Sequence, residues 1–367
     1  MSRRNRVRRI ALAACGCASV AAAPACDAVL PRAQISPQPT VAETLTVVAA
    51  PNVFSAASAQ ALAPPSMAGA GTDSIDRTPT WSTSDRRIAL VNQIGMVVGR
   101  AAGNAVVGAQ VEGRWAFTAV QVVEPSDPPF RIIAHRGFMR RFPENTIPAV
   151  RGAFDQGADA VEVDIRLSAD GVPMVMHDET VDRTTDGSGT VSKLAESQLA
   201  SLNACVRWIA VPPCAVPHMT DVLREARGRG GVLLHLYGYY SMQDLEKLLS
   251  MVHDAGMDRD AMFVSFDHPV LTAIRQLDEV VGLGYLTTRP PDPKVVDALG
   301  RMAPIVELQA ALGDSTATRA YLAAANRAQR EAGVWVAWNQ LQAKQAAGLG
   351  FRTIIADVPI DRNTLLP

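Results

Sequence analysis

Several absences bound what this chain can be. Only five cysteines occur among 367 residues, and no two are spaced Cys-x-x-Cys, which argues against a zinc ribbon. Charge of one sign is missing as well. Acid and base nearly cancel at a formal net charge of −1, and beyond the first few residues no Lys/Arg cluster appears. A field that would attract nucleic acid is therefore not expected. No apolar run reaches the roughly 20 residues a membrane helix needs. The apolar stretch Ile10 to Ala25 is short, built of small residues and interrupted by cysteines. No internal repeat is visible. At 48% apolar residues the composition is that of an ordinary globular protein.

What is present at the N-terminus reads as an address. Arg3, Arg4, Arg6, Arg8 and Arg9 form a charged region ahead of the apolar stretch, and Ala23-Pro24-Ala25 could precede a cleavage site. Residues 1–26 are thus expected to be a signal peptide or lipoprotein leader, with export to the periplasm, envelope or medium. Ser2-Arg3-Arg4 is a partial twin-arginine pattern. Cys26 is a better candidate for a lipid anchor than Cys15 in Leu12-Ala13-Ala14-Cys15. The alternative is an Arg/Ala leader with no address. In an oxidising compartment Cys205 and Cys214 would form a disulfide.

Residues 27–124 read as a linker or extension. Up to about Asp85 they are rich in Ala, Pro, Ser and Thr. From Arg86 to Val123, Ile88, Val91, Ile94 and Val98 have near-helical spacing, while Gly95, Gly99, Gly103 and Gly108 oppose a stable helix.

From 128 to 367 the texture changes. Short apolar runs alternate with helical patterns, as in a parallel α/β fold. Strands are expected at Arg131–Ala134, Ala160–Ile165, Val232–Leu236, Met262–Ser265, Val281–Leu286, Pro304–Leu308, Val334–Trp338 and Thr353–Ala356. Helices are expected at Thr146–Gln156, Thr220–Gly228, Ser241–Ala255, Pro269–Leu277 and Thr316–Ala332. This alternation predicts a TIM-like (β/α)8 barrel, whose chemistry gathers at the C-terminal ends of its strands. His135, Arg136, Asp164, His235, Asp267 and Asp357 all fall near such ends.

Glu162 and Asp164, two apart on one strand, share a face. Side by side on a buried strand they repel unless a cation lies between them; the alternative is a solvated strand face. Asp170-Gly171 between apolar runs signals a hairpin. If these two residues are the turn, His177 stands directly opposite Asp164 and faces the same cavity, whereas a one-residue slip reverses it. In His135-Arg136-Gly137 the arginine suits a phosphate, Gly137 permits a sharp turn, and the imidazole can move a proton near neutral pH.

Ile133-Ala134-His135-Arg136-Gly137, Pro143-Glu144-Asn145-Thr146, Glu162-Val163-Asp164, Asp170-Gly171, His177-Asp178 and Asp182 to Gly189, in that order, resemble the glycerophosphodiester phosphodiesterase family. Looser matches follow at Val216-Pro217, Ser265-Phe266-Asp267, Trp338-Asn339 and Ala356 to Pro359. The resemblance implies a barrel with a small insertion after the second strand, carrying the second histidine. It implies a divalent cation, calcium or magnesium, held by Glu162 and Asp164. His135 and His177 would be the acid–base pair and Arg136 a phosphate contact. The substrate would be a small glycerol-linked phosphodiester, in which the neighbouring glycerol hydroxyl attacks phosphorus. Glu144, Asn145, Tyr237 and Trp338 are candidates for the pocket, although Trp338 could equally belong to the barrel core.

One segment departs from the family. Its third strand usually carries Glu-x-Lys, and here the residues are His235 and Tyr237. An imidazole ligand at His235 suits zinc or manganese better than calcium. Three outcomes follow: a different metal, a weaker calcium or magnesium site, or a barrel that binds phospho-headgroups without cleaving. A sphingomyelinase D or phospholipase D type lipase shares the His and Glu-x-Asp logic, but Pro-Glu-Asn-Thr and the Asp-Gly hairpin fit the first family better.

Overall fold

The computed structural model describes residues 41–48, 59–61, 79–99, 103–111, 114–123, 130–328 and 330–365. The proposed leader, residues 1–26, lies outside them.

The extension contains β-strands. β1 (Val41–Val48), β3 (Thr80–Thr83), β6 (Gly103–Val111) and β7 (Arg114–Val123) form one sheet in the order β1-β7-β6-β3. β2 (Ala59–Ala61), β4 (Ala89–Val91) and β5 (Met96–Gly99) form another, ordered β2-β5-β4. Of the stretch read as a linker, 27–85, only 41–48, 59–61 and 79–85 are described, and they hold β1, β2 and β3; after it the near-helical spacing gives way to strands, as the opposing glycines require. The glycines decide the second point. Gly95 takes φ +81° in a tight turn between β4 and β5, where a Cβ would run into the Trp81 ring. Asn92 closes the turn by accepting from the Ile94 and Met96 N–H groups. Val97, Ala105, Val107, Val120 and Val122 then bury one strand face, as half-buried β-branched strands do.

The rest is the expected barrel. β8 (Arg131–His135), β9 (Ala160–Leu167), β11 (Gly231–Leu236), β12 (Ala261–Ser265), β13 (Gly282–Thr287), β14 (Ala303–Glu307), β15 (Gly333–Ala337) and β16 (Thr353–Ala356) pair in parallel and close through β8–β9. Helices cover its outside: α1 (Ile147–Asp155), α3 (Met219–Ala226), α4 (Met242–Asp254), α5 (His268–Leu277), α6 (Pro293–Ala298), α7 (Leu308–Gly313), α8 (Ser315–Arg327) and α9 (Gln340–Leu349). Every strand read from sequence is recovered within one or two residues. α6, α7 and α9 are additions. Two apolar layers result. Val161, Val163, Leu234, Phe263 and Val334 face the helices, while Ile133, Leu233, Val264, Leu286, Ile305 and Ile355 fill the interior. Parallel strands buried on both faces read as continuous apolar runs, which is why they were visible.

After β9 the chain makes an insertion containing β10 (Pro173–Val175) and the short helix α2 (Glu196–Ala200). A small core of Met174, Met176, Val181, Val191 and Leu199 supports it, and the Cys205–Cys214 disulfide is formed. The hairpin register corrects the expected one. Pro173, Met174 and Val175 pair with Leu167, Arg166 and Ile165, so Met176 follows opposite Asp164, its N–H donating to the Asp164 carbonyl. The loop holds three residues rather than two. Gly171 sits at φ +71° and adds the left-handed position of a bulged turn. β10 ends at Val175, and past its end the chain leaves the ladder.

The extension packs against the barrel's N-terminal end. Leu90 and Met96 bury Val280, the Asn92 amide donates to Asp278 at 3.4 Å, and Arg86 pairs with Glu279. The opposite, C-terminal mouth carries the functional groups.

Candidate active site

Parallel pairing aligns His235 with Asp164 and Leu233 with Glu162. Aligned residues of adjacent parallel strands point the same way, so Glu162, Asp164 and His235 converge inside the barrel. All three are buried. His235 Nδ1 lies 3.4 Å from a Glu162 oxygen and 3.3 Å from Asp164 Oδ1.

Neighbours fix the carboxylates. Asn145 donates its amide to Asp164 Oδ2 at 2.7 Å and accepts the Asp164 backbone N–H at 3.2 Å. The Arg136 N–H donates to Glu162 at 3.0 Å. Burial disfavours ionisation of Asp164, but His235 and Arg136 outweigh it and hold its carboxyl below the ordinary range. Burial likewise disfavours charging His235, but Asp164 and Glu162 outweigh it and raise the imidazole to about 8.

This set fits a divalent cation. Glu162, Asp164 and His235 each offer one ligand atom, all within 4.8 Å of one another. Asp164 Oδ1 is buried with no hydrogen-bond partner. Buried polar atoms are rarely left unpaired, and an ion between the two carboxylates and the imidazole would satisfy this one.

Two more imidazoles flank the triad, each held from behind by a carboxylate. His135 Nδ1 is 2.6 Å from Asp357 Oδ1, and the other Asp357 oxygen accepts Arg140 Nε at 3.1 Å. His177 Nδ1 is 2.6 Å from Asp178 Oδ1. Because a carboxylate only accepts, Nδ1 of each ring carries the proton, and Nε2 is free to exchange one. Asp178 belongs to a chain of ion pairs. Arg183 donates to Asp178 and to both oxygens of Glu144, and Glu144 accepts from Arg136 at 3.0 Å. The Arg183 guanidinium, helped by His177, outweighs burial and lowers the Asp178 carboxyl to about 2.

The Arg136 loop is built for close approach. Arg136, Gly137 and Phe138 take φ values of +49°, +79° and +59° in succession. A Cβ on Gly137 would stand 2.6 Å from Ala149 Cβ and 2.8 Å from its carbonyl carbon. Thr146 caps α1 and anchors the far end of the loop through its bond to the Pro143 carbonyl.

A cavity of about 210 Å³ joins these groups. His135, Arg136, Glu162, His177 and His235 line its polar side, and Tyr237, Val264, Leu286, Trp335 and Ile355 its apolar side. His177 therefore faces the cavity, although the register that predicted this was off by one; it sits beyond the strand end, where alternation no longer governs it. Tyr237 packs 4.1 Å from the His235 ring and edge-on to His177 at 5.2 Å. Burial, then Asp164 and Glu162, push its phenol up, so it stays neutral.

Three expected pocket residues act elsewhere. Glu144 and Asn145 hold Arg136 and Asp164 rather than line the cavity. Trp338 is half exposed on the rim beneath the Arg140 guanidinium. The cavity tryptophan is Trp335, and strand alternation in β15 could have identified it. Asp178 and Arg183 carried no expected role. Asp357, expected only as a group near a strand end, holds the His135 ring; that role, like the bond of Arg183 to Glu144, rests on contacts between distant residues that leave no local pattern.

A closed parallel barrel with polar groups converging at the C-terminal ends of its strands is the architecture of a barrel enzyme. Residues 135–361 match the model of the Glycerophosphoryl diester phosphodiesterase family, and the chain belongs to that family. It is 35% identical to mouse Glycerophosphodiester phosphodiesterase 1 over 176 residues, covering 47% of this chain and 53% of the relative. The chain thus spans about half the length of that relative. Glycerophosphodiester phosphodiesterase from Caldanaerobacter subterraneus subsp. tengcongensis is 30% identical over 165 residues, covering 42% of this chain and 65% of that one. Among solved structures, glycerophosphodiester phosphodiesterase from Agrobacterium tumefaciens superposes with a TM-score of 0.54 at 30% identity, covering 63% of this chain and 97% of that one.

Proposed function

We propose that this protein hydrolyses glycerophosphodiesters to glycerol phosphate and an alcohol, with His135 and His177 as the acid–base pair and a divalent cation on Glu162, Asp164 and His235. The observation that carries this reading is a single one. Two imidazoles, each held through Nδ1 by a carboxylate, line the same cavity as Glu162 and His235 of the buried three-ligand group. When bound, the cation would serve as a Lewis acid toward the phosphoryl oxygens.

The chain's own groups supply the rest. One imidazole takes the proton of the attacking glycerol hydroxyl and the other protonates the departing alcohol oxygen, leaving a cyclic glycerol phosphodiester; water then attacks phosphorus with the two imidazoles exchanging roles and opens the ring to glycerol phosphate. Arg136 presents a guanidinium to the phosphoryl group from its place between Glu144 and Asp164. The apolar wall of Val264, Leu286, Trp335 and Ile355 excludes water, which strengthens these interactions. Substituting His235 for the family's glutamate keeps a ligand at that position, which favours cleavage over headgroup binding alone. Imidazole among the ligands favours zinc or manganese over calcium.

The charged leader and the Cys205–Cys214 bond support export as part of this reading. The test is release of glycerol phosphate from glycerophosphocholine by purified protein loaded separately with zinc, manganese, magnesium and calcium. Turnover with at least one ion is expected. Binding of the diester without turnover under every ion would replace this reading with that of a headgroup-binding barrel.

A further inference from the structure

Cys205 to Cys214 reads Cys-Val-Arg-Trp-Ile-Ala-Val-Pro-Pro-Cys, with Arg207 as its single charge. The disulfide closes this loop at its base. There Asn203 Oδ1 accepts the backbone N–H groups of both cysteines, and the Ala204 N–H donates to the Cys214 carbonyl. Two turns inside the loop satisfy further backbone groups, Trp208 N–H to the Cys205 carbonyl and Val211 N–H to the Trp208 carbonyl. Arg207 turns back and donates to the Arg183 carbonyl at 2.8 Å. What projects outward is apolar. Ile209 is 103% exposed, Val206 is 43% exposed, and Pro212 and Pro213 are exposed beside them.

The loop has company at the same mouth. Tyr239, Phe266, Trp338 and Leu341 are large, apolar and exposed, and each follows the C-terminal end of a barrel strand. Exposed Arg140 stands among them, with its guanidinium 5.7 Å above the Trp338 ring. The described contacts of the extension fall at the barrel's other end, on Val280 and Asp278.

Soluble monomers seldom hold so apolar a projection rigidly in water. Its features match an interfacial anchor: aliphatic tips, aromatic rings with polar edges, and a guanidinium beside one of those rings. The turns that tie up the Trp208 and Val211 N–H groups reduce the number of polar groups that lose water when the tip enters the headgroup layer.

We propose that Cys205–Cys214 is a membrane-docking foot. It enters the headgroup layer of a phospholipid surface and sets the barrel mouth against it. The consequence for substrate rests on the phosphodiesterase reading above: diesters presented at a lipid surface are favoured over dilute soluble ones.

The test is co-sedimentation of the full chain with vesicles of equal parts phosphatidylcholine and phosphatidylglycerol. The wild type is expected to bind, Ile209→Asp to weaken binding about tenfold or more, and Ile209→Leu to retain it. Because Ile209 makes no packing contact that its exposure would allow to matter, Ile209→Asp should fold and keep its turnover of soluble glycerophosphocholine. No vesicle binding by the wild type, or equal binding by Ile209→Asp, overturns the proposal. So does a dimer that Ile209→Asp converts to monomer without any vesicle binding, since the foot would then cover a second copy. Binding is read without turnover, so loss of the hydrolase reading and loss of the docking reading remain distinguishable.

Discussion

Asp357 grips His135 from behind, carboxylate to Nδ1 at 2.6 Å, across a sequence separation of 222 residues. Asp357 is itself 4% exposed and steadied by Arg140. Such a carboxylate fixes ring orientation and tautomer without touching substrate. Asp357→Asn should therefore lower kcat by about 10- to 100-fold with little change in KM, and shift the pH profile of kcat. Asp357→Glu should recover part of the loss. A variant with wild-type kcat and pH profile would make the contact merely structural.

Gly137 is constrained twice, by its φ of +79° and by Ala149 at 2.6 Å from any Cβ. Gly137→Ala must relieve a contact with backbone, and the loop that carries Arg136 has to move. A destabilisation of roughly 2–4 kcal/mol is expected, with activity lost in whatever protein folds. Thermal unfolding and residual turnover check both.

Loading the cation should stabilise the fold. At a free ion concentration about a hundredfold above Kd the gain is about 2.7 kcal/mol, read as a rise in Tm over chelator-treated protein. Asp164→Asn and His235→Ala should each abolish most of that rise, and metal analysis should show the ion depleted in both. An equal Tm rise in His235→Ala would remove the imidazole from the ligand set.

His218 links the insertion to α3. Its ring lies 2.6 Å from Glu196 and 3.0 Å from Asp221. Burial opposes its charge, but the two carboxylates outweigh burial and raise its pKa. A raised folded value means this contribution is complete below the unfolded value of about 6.5 and fades as pH rises through the folded one. The Tm advantage of wild type over His218→Gln should therefore shrink as pH rises from about 6.5 through the raised folded value. An advantage that grows with pH would reverse the assignment.

Much of this was readable in advance, and for identifiable reasons. Runs such as Val232–Leu236 and Met262–Ser265 are buried on both faces, so their apolarity is unbroken. Glu162 and Asp164 follow from strand parity alone. His177 reached the cavity by a route that parity did not describe, because Gly171 lengthens the turn and β10 stops at Val175. In the extension Ile88, Val91 and Ile94 mimic a helical stripe that Gly95, Gly99, Gly103 and Gly108 contradict, and the turn at Gly95 under Trp81 depends on a tertiary contact. The pairs His135–Asp357 and Arg183–Glu144 join distant segments, and only the closed barrel brings them together.

The central claim is that His135 and His177 divide acid and base duties in one cavity. Its most direct test compares His135→Ala and His177→Ala on an alkyl diester and on a p-nitrophenyl diester, whose leaving group needs no protonation. Both variants should lose about 10²–10⁴-fold on the alkyl substrate. The one lacking the acid should recover most of its rate on the aryl substrate, and the one lacking the base should not. Near-wild-type turnover of the alkyl diester by either variant would contradict the account.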